Sequence, residues 1–236
     1  MVDPHAENYF HASPYTYVEN NPISRIDPDG RDWYEDKEGN LHWHTDLTKD
    51  NYESFFEEHN IEGNYLGQAV VVMDGSGGEN LGSSGTLTGE DALSAKVTIY
   101  GPGGPDDIQT YDGLTVSSDP NLFTPIASGD YEGYHQQMAS SIYGQGSLTY
   151  RIRQLDGNHT LPTEGGALNI DPHSRNYGTP YKTEIYLHRT NNDGFAGARD
   201  QRRAVTKGCP VICGTQWPRV EQQLGKISSF RLRIIR

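Results

Sequence analysis

The chain has 236 residues, a formal net charge of −13, 33% hydrophobic residues, 27 Gly, 15 Tyr and two Cys. An acidic chain argues against nonspecific nucleic-acid binding, two cysteines exclude a disulfide framework, and the apolar run 69–73 is too short to span a membrane. Abundant Gly and Tyr favour short strands joined by glycine turns over long helices.

The first 31 residues run Asp3-Pro4-His5-Ala6-Glu7, Ser13-Pro14-Tyr15-Thr16-Tyr17, Asn20-Asn21-Pro22-Ile23 and Ile26-Asp27-Pro28-Asp29-Gly30-Arg31. Such a series of Pro and Asn turns predicts irregular or edge-strand backbone with no core of its own. The start has no basic-then-apolar signal pattern, so export is expected to need another device. Residues 32–94 read as a connector or as the N-terminal part of the domain that follows. Within it, Tyr52, Phe55 and Phe56 predict a short helix in 46–60, and the Gly/Ser-rich stretch 74–89 predicts a loop. From residue 95 the pattern turns to strands. These are expected at 96–100 and 110–116, around the turn Gly101-Pro102-Gly103-Gly104-Pro105, and then at 129–134 and 147–155. Asp156-Gly157-Asn158 supplies a turn. A buried strand is predicted at 183–188, a short helix at 216–224 and a closing strand at 228–235.

Charge is unevenly spread. Residues 183–236 hold ten Lys/Arg and four Asp/Glu, a balance of +6, so residues 1–182 carry −19. A solvated basic face explains this; a site that prefers anionic groups explains it as well.

The segment from 184 to 217 carries the chemistry. His188 ends a predicted strand, a polar loop with Asn191, Asn192, Gly194, Gly197 and Arg199 follows, and Thr206-Lys207-Gly208-Cys209-Pro210-Val211-Ile212 closes it. A thiol needs ionisation to be a good nucleophile, and a neighbouring imidazole and nearby cations favour the thiolate. Lys207, Arg202 and Arg203 stand close to Cys209 in sequence. Gly208 would let backbone approach a substrate closely, and the N–H groups of Gly208 and Cys209 would face a developing oxyanion. The alternative is a Cys209 that is only a small buried hydrophobe ahead of Val211 and Ile212.

Two resemblances bear on these residues. The string through Ser13-Pro14-Tyr15, Asn20-Asn21-Pro22 and Asp27-Pro28-Asp29-Gly30 resembles the end of an Rhs repeat-associated core, whose Asp-Pro-x-Gly element marks the junction with a variable toxin domain. Arg31 stands where the best-known junctions carry Leu. The second resemblance, over residues 95–236, is to L,D-transpeptidase catalytic domains. These carry a His on a strand, a loop, and a Ser/Thr-His-Gly-Cys stretch. His188 matches the base, and Thr206, Gly208 and Cys209 match the second motif. Thr124-Pro125-Ile126 with Gly129-Asp130-Tyr131 resembles the family's strand entry. Lys207 replaces the His of the second motif, Arg189 follows the first His in place of Gly, and Pro210 and Val211 occupy the places of the usual Arg. Arg189, Arg199 and Arg203 are the candidates for that missing charge.

The resemblances imply a mainly β, sandwich- or barrel-like catalytic domain with a few short helices. They imply a delivered antibacterial Rhs toxin acting in the periplasm of the target cell. Its chemistry would be acyl transfer or hydrolysis on peptidoglycan stem peptides, without a cofactor. Cys209 would be the nucleophile and His188 its base, with Gly208, Thr206, Arg189, Lys207 and Arg203 around the oxyanion and substrate. The parent Rhs shell and a cognate immunity protein are the implied protein partners, with no nucleic acid and no membrane span.

Other readings stay open. A cysteine hydrolase or deamidase of a cytoplasmic protein fits the same dyad, and a non-catalytic binding module fits a buried Cys209. Cys209 and Cys213 form C-x3-C, which suits a disulfide or half a metal site. His42 and His44 flank Trp43 as metal ligands or as an exposed edge. Asp27 and Asp29 suit self-cleavage or simple turn chemistry, and His173 is a substrate-contact candidate.

Overall fold

The computed structural model describes residues 31–79, 93–116, 123–136, 149–190, 206 and 208–236. The mainly β expectation is borne out. Eight strands close into a barrel in the order β11-β12-β6-β5-β4-β13-β7-β8, beside a three-stranded sheet, a two-stranded sheet and two short helices.

The barrel is built on period-2 alternation. In β13 (Ser229–Ile235), Phe230, Leu232 and Ile234 enter the core while Arg231 and Arg233 stay half-buried outside it. In β5 (Ala95–Tyr100), Val97 and Ile99 do the same. The Val-rich β4 (Val70–Asp74) pairs parallel to β13 and antiparallel to β5. It lies within residues 32–94, so the barrel draws on chain ahead of residue 95. β6 (Ile108–Leu114) returns against β5, and β7 (Gly129–His135) joins β13 to β8 (Tyr150–Arg153). β11 (Tyr186–Arg189) and β12 (Val211–Ile212) close the ring.

Helix α2 (Trp217–Leu224) has Pro218 in its first turn, where its missing N–H is no loss. Trp217, Val220 and Leu224 recur on one face and join the barrel core. Tyr111 Oη donates to Gln223 Oε1 at 2.6 Å, and Gln223 Nε2 donates to the Asp107 carbonyl at 2.9 Å. These bonds pin the helix to the β5–β6 hairpin.

Residues 32–67 form the smaller sheet, β2-β1-β3, from β1 (Asp32–Asp36), β2 (Leu41–His44) and β3 (Gly63–Gly67). Helix α1 (Tyr52–Glu58) lies between β2 and β3 in the chain. The sheet docks on the barrel through Trp33, whose Nε1 donates to the Gly101 carbonyl at 3.0 Å. Trp43 packs on Gly104, where a Cβ would stand 2.6 Å from the indole and φ is +75°, so glycine is required on both counts. Arg233 completes the dock. Its guanidinium donates to both Asp130 oxygens at 2.7 Å and to Glu35 on β1, one of those bonds at 3.0 Å. Among the described residues no helix is long and apolar enough to cross a membrane. The junction motif ending at Gly30, with Asp27 and Asp29, lies outside the described residues.

Candidate active site

The site begins on β11. Leu187 enters the barrel core, so alternation turns its neighbour His188 to the opposite face. His188 is nonetheless only 2% exposed. Its Nδ1 lies 2.8 Å from the Arg189 carbonyl oxygen. A carbonyl only accepts, so Nδ1 holds the proton and Nε2 keeps the lone pair. Burial lowers the imidazole to about 4, against the effect of that hydrogen bond. The ring is therefore neutral near pH 7.

β12 runs parallel to β11, with His188 opposite Val211 and Arg189 opposite Ile212. Cys209 precedes Val211 by two residues. This carries it alongside Tyr186, whose backbone N–H lies against the thiol. Were that ladder to run on past Val211, Cys209 and His188 would be offset by one strand repeat, about 6.6 Å along the strands; Cys209 also packs against the barrel core.

The turn before Cys209 is held by Thr206, which is buried. Thr206 Oγ1 donates to the Cys209 carbonyl at 2.7 Å and accepts the Gly208 N–H at 3.2 Å. The Gly208 N–H, expected to face an oxyanion, is directed to this hydroxyl. The Cys209 N–H has no acceptor among the described residues. Gly208 sits at φ +116°, in the region that favours glycine, and a Cβ there would stand 2.5 Å from Lys182 Nζ.

Cys209 is half-buried and Cys213 buried; neither forms a disulfide. Cys213 Sγ lies 3.2 Å from Thr215 Oγ1. Burial pushes the Cys209 thiol up, while the Tyr186 N–H and Lys182 pull it down. The net direction is opposite to the depression expected from neighbouring cations, because desolvation outweighs the charge.

Lys182 was not foreseen. It lies on β10 (Tyr181–Lys182), which pairs with β9 (Leu161–Pro162), and is 7% exposed. Burial pushes its ammonium down, and Cys209 and Asp171 push it back up. Cys209 and Lys182 open on a pocket of about 240 Å³, with Asp171, His173, Arg175 and Glu184 among its walls. Two cations and two carboxylates thus line one small volume. His173 lines the pocket, and its backbone N–H donates to Asp171 Oδ1 at 2.9 Å. Arg175 and Glu184 pair across the rim at 2.9 Å. The loop carrying these groups is held by buried Asn169, whose Nδ2 donates to the carbonyls of Thr179 and Tyr181 at 2.8 and 2.7 Å.

His188 and Arg189 are not among the residues that line this pocket. Arg189 is half-buried at the end of β11. Lys207, Arg199, Arg202 and Arg203 lie outside the described residues. Among the described residues no group of three or more His, Cys, Asp or Glu is placed to hold a metal ion. His42 is on the edge strand β2, with Nε2 2.8 Å from Asp36 Oδ2, and His44 packs on Phe55. Comparison with known proteins returns no match: no protein-family model, curated protein or solved structure aligns significantly with the chain.

Proposed function

We propose that the chain is a cysteine-dependent acyltransferase or peptidase that acts on peptidoglycan stem peptides, as the toxin end of an Rhs-type protein delivered to the periplasm of a target bacterium. The observation that carries this reading is the Thr206–Cys209 turn. It presents a half-buried thiol to a polar pocket, two residues before the strand that pairs with β11 and its neutral, tautomer-fixed His188.

In this scheme the Cys209 S–H proton passes to His188 Nε2 as sulfur attacks the substrate carbonyl. The S–C bond forms and the carbonyl π pair moves to oxygen, which the Cys209 N–H would receive. Collapse breaks the C–N bond, and the departing amine takes the proton from His188. Water or a second amine then resolves the thioacyl enzyme, giving hydrolysis or exchange. Stem peptides carry ammonium and carboxylate groups, which suits walls that bear both Arg175 and Lys182 and Asp171 and Glu184. A cognate immunity protein that covers this pocket would protect the producing cell.

The test is mass spectrometry of purified sacculi incubated with the chain and with Cys209→Ala. Shortened or exchanged stem peptides with the unmodified chain alone are expected. Unchanged sacculi would overturn the wall reading. Toxicity that survives Cys209→Ala would reduce the domain to a binding module.

A further inference from the structure

We propose that Lys182 is a catalytic residue of this site, the fixed cation beside Cys209 that stabilises the thiolate as it forms for attack. The inference rests on the reading of Cys209 as nucleophile and assigns the charge partner within it.

Three observations carry it. The Lys182 ammonium packs on the glycine that directly precedes the nucleophile: a Cβ on Gly208 would lie 2.5 Å from Nζ and 3.5 Å from Cε. Lys182 and Cys209 wall the same pocket. Lys182 is also almost wholly buried, at 7% exposure, although an ammonium is among the groups most costly to take out of water. A methionine would fill the same volume without that penalty, so packing does not account for a lysine here.

The backbone is shaped to keep it there. Between Lys182 and the buried Ile185, the chain passes through Glu184 at φ +57°, a conformation that a side-chain-bearing residue rarely adopts. Thr183 ties the same bend to Asn176, donating from both N and Oγ1 to its Oδ1, at 3.0 and 3.1 Å.

His188 is suited to a different part of the work. Its ring is neutral, so it contributes no charge to the resting thiol. Two roles separate: His188 Nε2 takes the thiol proton, while Lys182 keeps its own proton throughout and supplies the counter-charge. The opposing effects at the two groups agree with this, since Lys182 draws the thiol down and Cys209 draws the ammonium up.

The experiment reads the thiol directly. Iodoacetamide alkylation of Cys209 is followed against pH by peptide mass mapping in the unmodified chain, Lys182→Met and His188→Asn, with circular dichroism to verify folding. Lys182→Met is expected to move the alkylation midpoint up by one pH unit or more, so that the rate near pH 8 falls about tenfold. His188→Asn is expected to leave the midpoint in place. An unmoved midpoint in folded Lys182→Met, or a shift that follows His188 instead, would overturn the proposal. A second measurement avoids disturbing the lysine. By linkage, removal of the thiolate must lower the Lys182 midpoint, read by NMR titration of the lysine in the unmodified chain and in Cys209→Ala. Equal midpoints would likewise overturn it. Neither readout needs a turnover, so a Lys182-dependent thiol that leaves sacculi untouched would sink the peptidoglycan reading and leave the ion pair standing.

Discussion

The Thr206 hydroxyl donates to the Cys209 carbonyl at 2.7 Å while accepting the Gly208 N–H at 3.2 Å, so one buried side chain closes the turn that presents the thiol. Thr206→Val keeps the shape and removes both bonds. It should destabilise the fold by about 1–2 kcal/mol and slow alkylation of Cys209, whereas Thr206→Ser should retain both properties. Thermal melts and peptide-resolved alkylation rates check this. Equal rates in the Val and Ser variants would show that the turn holds itself without the hydroxyl.

His188 gives the fold a pH dependence of defined sign. Its imidazole is lowered from 6.5 to about 4 by burial. Between those values the unfolded chain binds the extra proton, so stability falls as pH drops from 6.5 towards 4. The slope from this residue reaches about 1.4 kcal/mol per pH unit. In His188→Asn the amide can still donate to the Arg189 carbonyl, yet it does not titrate. Urea unfolding across this range should therefore give a flatter profile for the variant. Parallel profiles would mean that His188 is charged in the folded protein.

The two cysteines should differ in reaction. Burial holds the Cys209 thiol above its ordinary value of 9.0, so its alkylation should still be climbing with pH near 9. Cys213 is buried against Thr215 and should label only on unfolding. Stopped-time alkylation with peptide mapping separates them. A Cys209 rate that levels off near neutral pH would mean that attraction from Lys182 outweighs desolvation.

Arg233 bridges Asp130 on the barrel and Glu35 on the small sheet. Arg233→Met should destabilise the protein by about 2–3 kcal/mol, because two carboxylates are left facing each other without their shared donor. The exposed Arg175–Glu184 pair makes the control. Arg175→Met should change stability by less than about 1 kcal/mol. Urea denaturation of both variants tests the contrast, and equal losses would refute the clamp.

What was legible in the sequence was what is periodic or contiguous. β5, β7 and β13 announce themselves by alternation, α2 by its apolar spacing, and α1 by Tyr52, Phe55 and Phe56. The Thr206–Cys209 turn is a run of four residues, and His188 stands at a strand end. The three-stranded sheet escaped notice because Trp33, Tyr34, His42 and Trp43 pair across strands whose outward residues are polar. β9, β10 and β12 are two residues long, too short to carry a period. Lys182 was invisible for a different reason. Its neighbours in sequence are polar, and its proximity to Gly208 and Cys209 arises only when β10 folds against β9 and the loop from Asn169 closes.

β12 gives the barrel two residue pairs on each side, with His188 and Arg189 of β11 and with Leu114 and Gly113 of β6. By contrast, β13 makes five with β4 and six with β7. Cys209 precedes β12, which with β11 is one of the two most lightly stitched staves of the ring. Loosening there breaks few ladder hydrogen bonds and leaves the long staves clasped, so less free energy is needed here than along β13. Any widening of the pocket can then be absorbed beside Cys209, without unzipping the barrel that carries it.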